Sequence, residues 1–290
     1  MSDPGARARS ARAYPVERLA EWARGRPDVL ALVVIGSQAR AEVPADDLSD
    51  LDLLVVVEEV KAFTEHDEWL DELGDYLIAS LEQSGDFYFE REILYRNGEK
   101  LDLIFVPASH LGRWPETGLE PGMAAVVNRG AKIIQATDEV RALVEKAAVA
   151  PPALPTEREF SVTVATFLVD CASGTRKLSR GEVWVVRDFV EAWLRPEVVR
   201  MLEVRARARG EESWPSGRFM DRWVEPDTLR ALESITIARV EASEVHGALV
   251  AMLDLFLQVA NDVAASLGYA WPADEAAEVS KWVADLRPAT

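Results

Sequence analysis

Residues 30–57 read LALVVIGSQARAEVPADDLSDLDLLVVV, and their pattern decides the fold of the first half of the chain. An apolar run at 30–35 ends in Gly36-Ser37, a polar connection follows, and a second run at 53–57 opens behind Asp50-Leu51-Asp52. Short apolar runs bounded in this way predict a strand, a turn with a short helix, and a second strand. Positions i and i+2 of a strand share a face, so Asp50 and Asp52 direct both carboxylates to one region. Neighbouring carboxylates resist ionising together, so a positive partner is expected there. Hard oxygen donors suit Mg²⁺, which binds through one or two carboxylates, waters and phosphate oxygens. Gly36 lets backbone approach such phosphates, and the N–H groups opening a following helix would face them. A bare D-x-D pair is also what the solvated entrance of an ordinary strand looks like.

Outward from this stretch, residues 15–24 place Val16, Leu19, Ala20 and Ala23 on one helical face, and Pro27 stops that helix. Residues 65–81 carry Trp69, Leu70, Leu73, Leu77, Ile78 and Leu81 at helical spacing, predicting a helix over one face of the sheet. Residues 87–95 and 100–106 flank Asn97-Gly98, a strong hairpin signal. That pairing lays residues 100–106 in the sheet beside the D-x-D strand, with Asp102 near Asp50 and Asp52. Residues 131–136 form one more strand, completing a small mixed sheet with helices on one side. Three prolines within 149–156 mark an extended linker. Beyond it, 160–177, 181–207, 226–242 and 243–267 have helix-period apolar stripes and are expected to pack as a bundle.

At 290 residues the chain has room for two domains with separate cores. The division expected is 1–148, a linker at 149–156, and 157–290. The hydrophobic fraction of 49% is globular, and no apolar run approaches the ~20 residues of a membrane span. Residues 1–15 are basic without the apolar centre of a signal peptide, and read as a frayed end. The single cysteine, Cys171, cannot form an internal disulfide and fits a reducing, cytoplasmic setting. Its apolar helical surroundings predict a buried thiol. With three scattered histidines and one cysteine no zinc spacing exists. The net charge of −18 weighs against nucleic-acid partners, since gripping phosphate takes Lys and Arg, and no membrane partner is expected. It suits a cationic partner, which an acidic cleft would concentrate, although acidity also serves solubility alone.

Gly36-Ser37, a gap of a dozen residues, Ser49-Asp50-Leu51-Asp52-Leu53, and then KLDLIFVP at 100–107 together resemble the signature of the polymerase-beta-like nucleotidyltransferase superfamily. In the second half, LSRGE at 178–182, LRPEVVRML at 194–202, GRFMDRW at 217–223 and LGYAWP at 267–272 resemble the aminoglycoside 6-adenylyltransferases, which modify streptomycin. The resemblance runs from about residue 16 to 285. It implies an α+β architecture: a nucleotidyltransferase-type mixed sheet with helices that binds ATP and metal, then a helical substrate-binding bundle, with both substrates in a cleft between.

It implies a reaction too. An aminoglycoside hydroxyl attacks the α-phosphorus of ATP, AMP is transferred, pyrophosphate leaves, and antibiotic resistance follows. Carried over by position, Asp50 and Asp52 match the metal-binding acids, Asp102 the third acid, and Gly36-Ser37 the triphosphate turn. The residue after that pair is often Arg in this group and is Gln38 here, with Arg40 as a compensating charge. One or two Mg²⁺ ions are implied.

An alcohol needs a base or a metal at neutral pH. Asp102 is the expected base, with Asp170 or Glu182 in reserve. Arg176, Lys177 and Arg180 form a basic helix end that is either solvated or set against the charge growing on pyrophosphate. Asp170, Glu182, Asp188 and Glu191, with Trp184 and Trp193 among them, are ordinary surface acids or the place where a polycationic substrate binds; tryptophans are more often core. A monomer is favoured. The alternatives are transfer to another small hydroxyl acceptor or to a protein, and a catalytically silent nucleotide-binding protein.

Overall fold

The computed structural model describes residues 16–84, 88–114, 117–149 and 154–286. The basic stretch 1–15, Phe87 at the start of the expected hairpin, and Pro151 and Pro152 of the expected linker lie outside the described residues. The chain falls into two compact units, Met1–Pro152 and Ala153–Thr290.

The first unit opens with helix α1 (Val16–Arg24) and strand β1 (Val29–Ile35), followed by a single 3-10 turn at Gly36–Gln38. Strand β2 (Leu51–Val57), the short helix α2 (Lys61–Thr64) and a 3-10 segment at Glu68–Leu73 come next. Then come β3 (Tyr76–Ser84), β4 (Tyr88–Tyr95), β5 (Lys100–Pro107), helix α3 (Pro121–Asn128), β6 (Lys132–Ala136) and helix α4 (Asp138–Val149). The strands form one mixed sheet in the order β3-β4-β5-β2-β1-β6. The Asn97-Gly98 turn joins β4 and β5 as an antiparallel hairpin, and β5 runs parallel to β2 with Asp102 opposite Asp52.

Two of the expectations for this unit are corrected. Residues 65–81 are not one helix. The 3-10 segment ends at Gly74, whose φ of 106° belongs to a region glycine enters without strain. The chain then turns into the edge strand β3, on which Leu77 and Ile78 are exposed. Helical spacing through Leu81 was a coincidence of two elements with different periods. Nor are helices confined to one side. Alternate residues of β1 enter different cores: Leu32 and Val34 join Leu19 and Trp22 of α1, Phe63 and Trp69, whereas Ala31, Val33 and Ile35 pack with Met123 of α3 and Val140 and Val144 of α4. A strand covered on both faces reads as an unbroken apolar run, which is what 30–35 shows.

The second unit is helical. Thr156 and Glu159 form a reciprocal capping box that starts helix α5 (Glu157–Ser179). Helix α6 (Val183–Phe189) continues through a π-helical turn at Val190–Leu194 into α7 (Arg195–Ala208), so the helix expected over 181–207 carries one wider turn. Helix α8 (Met220–Trp223) is short, and α9 (Pro226–Ser234) ends well before Ala242, shorter than expected. Helix α10 (Ala242–Leu267) and helix α11 (Ala273–Asp285) complete the unit. By length and composition α10 could cross a membrane, contrary to the sequence expectation, but its apolar side chains line this unit's core. There Phe256 stacks on Phe167 of α5 with ring centroids 3.7 Å apart. Cys171 is fully buried, and burial pushes its thiol up, out of the reactive range.

Candidate active site

Sheet register builds the site. Asp52 of β2 is opposite Asp102 of β5, and Asp102 is in turn opposite Glu92 of β4. In-register neighbours project to one face, so a row of carboxylates crosses three strands. Glu90, two residues from Glu92, shares that face. One carboxylate oxygen from each of Glu90, Glu92 and Asp102 lies within 4.8 Å of the others. Between Glu90 and Glu92, Arg91 points through the sheet to the other core. There it is buried, donates to the Phe63 carbonyl at 3.1 Å and pairs with Asp67 at 2.6 Å. A depression of about 550 Å³ on that opposite face, lined by Asp67, Asp71 and Arg91 among others, holds none of the expected site residues.

Among the described residues, Lys100 brings a cation to the row. Lys100 Nζ hydrogen-bonds Glu92 and lies 3.1 Å from Asp102 Oδ2. Burial alone would pull the Lys100 ammonium down, but its bonds to Glu92 and Asp102 outweigh that and hold it above its usual range. Asp102 is only 4% exposed. Burial pushes its carboxyl up to about 7, and the charges of Asp52 and Glu90 add to that against the pull of Lys100. Glu90 is raised as well, by burial first and by the charge of Glu92 second. Crowded negative charge therefore falls hardest on Asp102, whose carboxyl holds its proton to higher pH than an ordinary aspartate, while Lys100 stays charged. Asp102 Oδ1 is buried without a hydrogen-bond partner.

The turn after β1 closes the other side of Asp52. Gly36 has φ +65°, and a Cβ there would stand 2.2 Å from Asp52 Oδ2. Backbone and carboxylate are thus in direct contact. Gln38 Nε2 donates to the Asp50 carbonyl at 3.4 Å, and Lys132 of β6 donates to the Gln38 carbonyl at 2.6 Å. The 3-10 turn at Gly36–Gln38 is the short helix expected after β1, and no longer helix follows it before β2. Arg40 donates from Nε to the Val43 carbonyl at 2.8 Å. Asp50 and Ser37 are half-buried at the same end of the strands.

In the helical unit the predicted residues meet local partners. Arg180 pairs with Glu182 at 2.6 Å and Lys177 approaches it at 3.9 Å. Arg176 lies over the Trp282 ring, 5.2 Å from its centroid. Asp170 of α5 is half-buried, which raises its carboxyl. Trp184 and Trp193 are exposed at 66% and 67%, contrary to the expectation that tryptophans serve the core.

Sequence reasoning missed Glu90 and Glu92. Their signal was present: two glutamates at period two, on the strand that the Asn97-Gly98 turn folds against Lys100 and Asp102.

A family model described as streptomycin adenylyltransferase matches residues 12–286. An aminoglycoside 6-adenylyltransferase of Bacillus subtilis (strain 168) is 24% identical over 176 residues, covering 58% of this chain and 59% of that protein. One from Staphylococcus aureus is 23% identical over 195 residues, 63% of this chain and 65% of that one. These matches span about three fifths of the length of the curated relatives. The crystal structure of an aminoglycoside 6-adenyltransferase from Bacillus subtilis aligns over 94% of this chain and 97% of that one, with a TM-score of 0.45 and 19% identity.

Proposed function

The chain belongs to the streptomycin adenylyltransferase family, and we propose that it transfers AMP from ATP to a hydroxyl of an aminoglycoside, with streptomycin the first acceptor to test. The observation that carries this is Asp102: a buried carboxyl with one oxygen without a partner, in register with Asp52, which itself abuts the Gly36 turn.

The hard donor set of Asp50, Asp52 and Asp102 fits one or two Mg²⁺ ions. When bound, the metal neutralises phosphate charge. The chain's own residues do the rest. The Gly36-Ser37 turn, with Arg40, receives the triphosphate. Asp102 takes the acceptor's hydroxyl proton. A net charge of −18 is in keeping with a cationic acceptor. The setting proposed is the cytoplasm, where ATP is supplied, with the protein acting as a monomer.

Pyrophosphate release from Mg·ATP, with streptomycin and a panel of other aminoglycosides, tests this. Release with streptomycin that Asp52→Asn abolishes is the expected result. Release only with another aminoglycoside moves the acceptor and keeps the chemistry. Silence with every aminoglycoside, despite measurable ATP binding, overturns it.

A further inference from the structure

The order of strands gives the carboxylate row a direction. The glycine turn follows β1, Asp52 stands on β2, Asp102 on β5 and Glu92 on β4, which are successive neighbours in the sheet. Strands lie about 4.8 Å apart, so the row runs roughly 14 Å from the turn to Glu92. In a phosphoryl-group displacement the attacking and leaving oxygens lie roughly in line, on opposite sides of phosphorus. With the triphosphate at the β1 end, pyrophosphate departs toward that end. The attacking hydroxyl then arrives from the β4 side.

We propose that Glu90 and Glu92 form the subsite for a cationic group of the acceptor, a guanidinium or ammonium carried on an organic ring, held next to Asp102. This rests on the adenylyl-transfer function proposed above and names the acceptor's place within it.

Three observations support an organic cation there. Asp102 is almost fully buried, its Oδ1 has no partner, and its carboxylate belongs to the same cluster, so the cluster is built to receive something. The cluster already seats one ammonium, Lys100, between Glu92 and Asp102 at hydrogen-bonding distance, whereas no ion pair holds Glu90 among the described residues. Beside Glu90 runs a depression of about 210 Å³, walled by Tyr88, Ile104, Met123 and Val126 with Glu120 at its rim. A bare metal ion has no use for apolar walls. A ring bearing a charged substituent uses both walls and carboxylates, the usual composition of a small-molecule site, and a guanidinium can engage a carboxylate through two parallel N–H bonds.

The test is calorimetric titration of streptomycin into the full chain with Mg²⁺ and α,β-methylene-ATP, which cannot release pyrophosphate. Glu90→Gln and the double variant Glu90→Gln/Glu92→Gln keep side-chain shape and remove charge, and Glu90→Gln disturbs no ion pair of the fold. We expect the Kd for streptomycin to rise about tenfold in the single variant and further in the double one, with a shallower salt dependence. The Kd for the nucleotide analogue should change by less than about threefold. Streptomycin binding that both variants leave unchanged overturns the subsite while leaving adenylyl transfer standing. A loss confined to metal and nucleotide binding also overturns it, making the two glutamates metal ligands. Failure of the unaltered chain to bind streptomycin or any other aminoglycoside, with the analogue bound, overturns both.

Discussion

Two side chains carry the sharpest consequences. A methyl at Gly36 meets Asp52 Oδ2 at 2.2 Å in a backbone conformation that L residues rarely adopt. Gly36→Ala is expected to weaken nucleotide binding at least about tenfold and to cost about 1–3 kcal/mol of stability, read from nucleotide titration and urea unfolding of one preparation. Asp102 sets a pH dependence. Burial raises it from the ordinary 3.8 to about 7, so between those values the folded chain keeps a proton that the unfolded chain has released. The stability contributed by this group is therefore lost as pH rises from about 4 to about 7. Thermal unfolding in EDTA should show it as a difference between the wild type and Asp102→Asn that shrinks the wild type's advantage across that window. A constant difference would place the proton elsewhere. Asp52 and Asp102 were legible because period two and a hairpin turn bring them together. Glu90 and Glu92 were overlooked because alternation with Arg91 disguises them as an ordinary mixed-charge strand, and only register separates the faces.

Elements explain where pattern reading succeeded and where it failed. The hairpin of β4 and β5 was legible because Asn97-Gly98 fixes its register locally. Strand β3 was not, since Trp69, Leu70 and Leu73 are buried by a 3-10 segment while Leu77 and Ile78 face outward on the sheet edge. Apolar identity alone does not separate a core stripe from an exposed edge. The two assignments make opposite predictions for Ile78→Ser. As an edge residue 62% exposed, it should change stability by no more than about 0.5 kcal/mol. A core helix position would cost about 2–5 kcal/mol, and chemical denaturation separates these outcomes. Helices α3 and α4 escaped notice for another reason. Their buried faces are short, Met123, Ala124 and Val127 in one and Val140, Val144 and Ala147 in the other, too brief for periodicity to stand out.

At the scale of the whole molecule, each unit has a core of its own. Removing a central ring from the helical unit should show this. Phe256→Ala deletes the partner stacked on Phe167 and should cost about 3–5 kcal/mol, lost from the far-ultraviolet helical signal. The bundle was legible from its stripes, but its interior polar members were not. Glu203 and Arg205 are buried at 7% and 5% exposure, yet in sequence they belong to a run of ordinary charged helix residues. Arg205 reaches Glu225 and Asp262, contacts between distant segments that no local pattern encodes.

The opening of α5 has a practical consequence. Thr156 and Glu159 cap each other's turn, Tyr269 donates to the Pro155 carbonyl at 2.7 Å, and the Ala270 N–H reaches Glu157 at 2.9 Å. The helical half is thus buttoned to its own far end across its first few residues. A shortened polypeptide starting at residue 154 would keep that clasp whole, and one starting at residue 160 would shed it. Anyone cutting this protein in two for separate production should place the scissors upstream of Leu154.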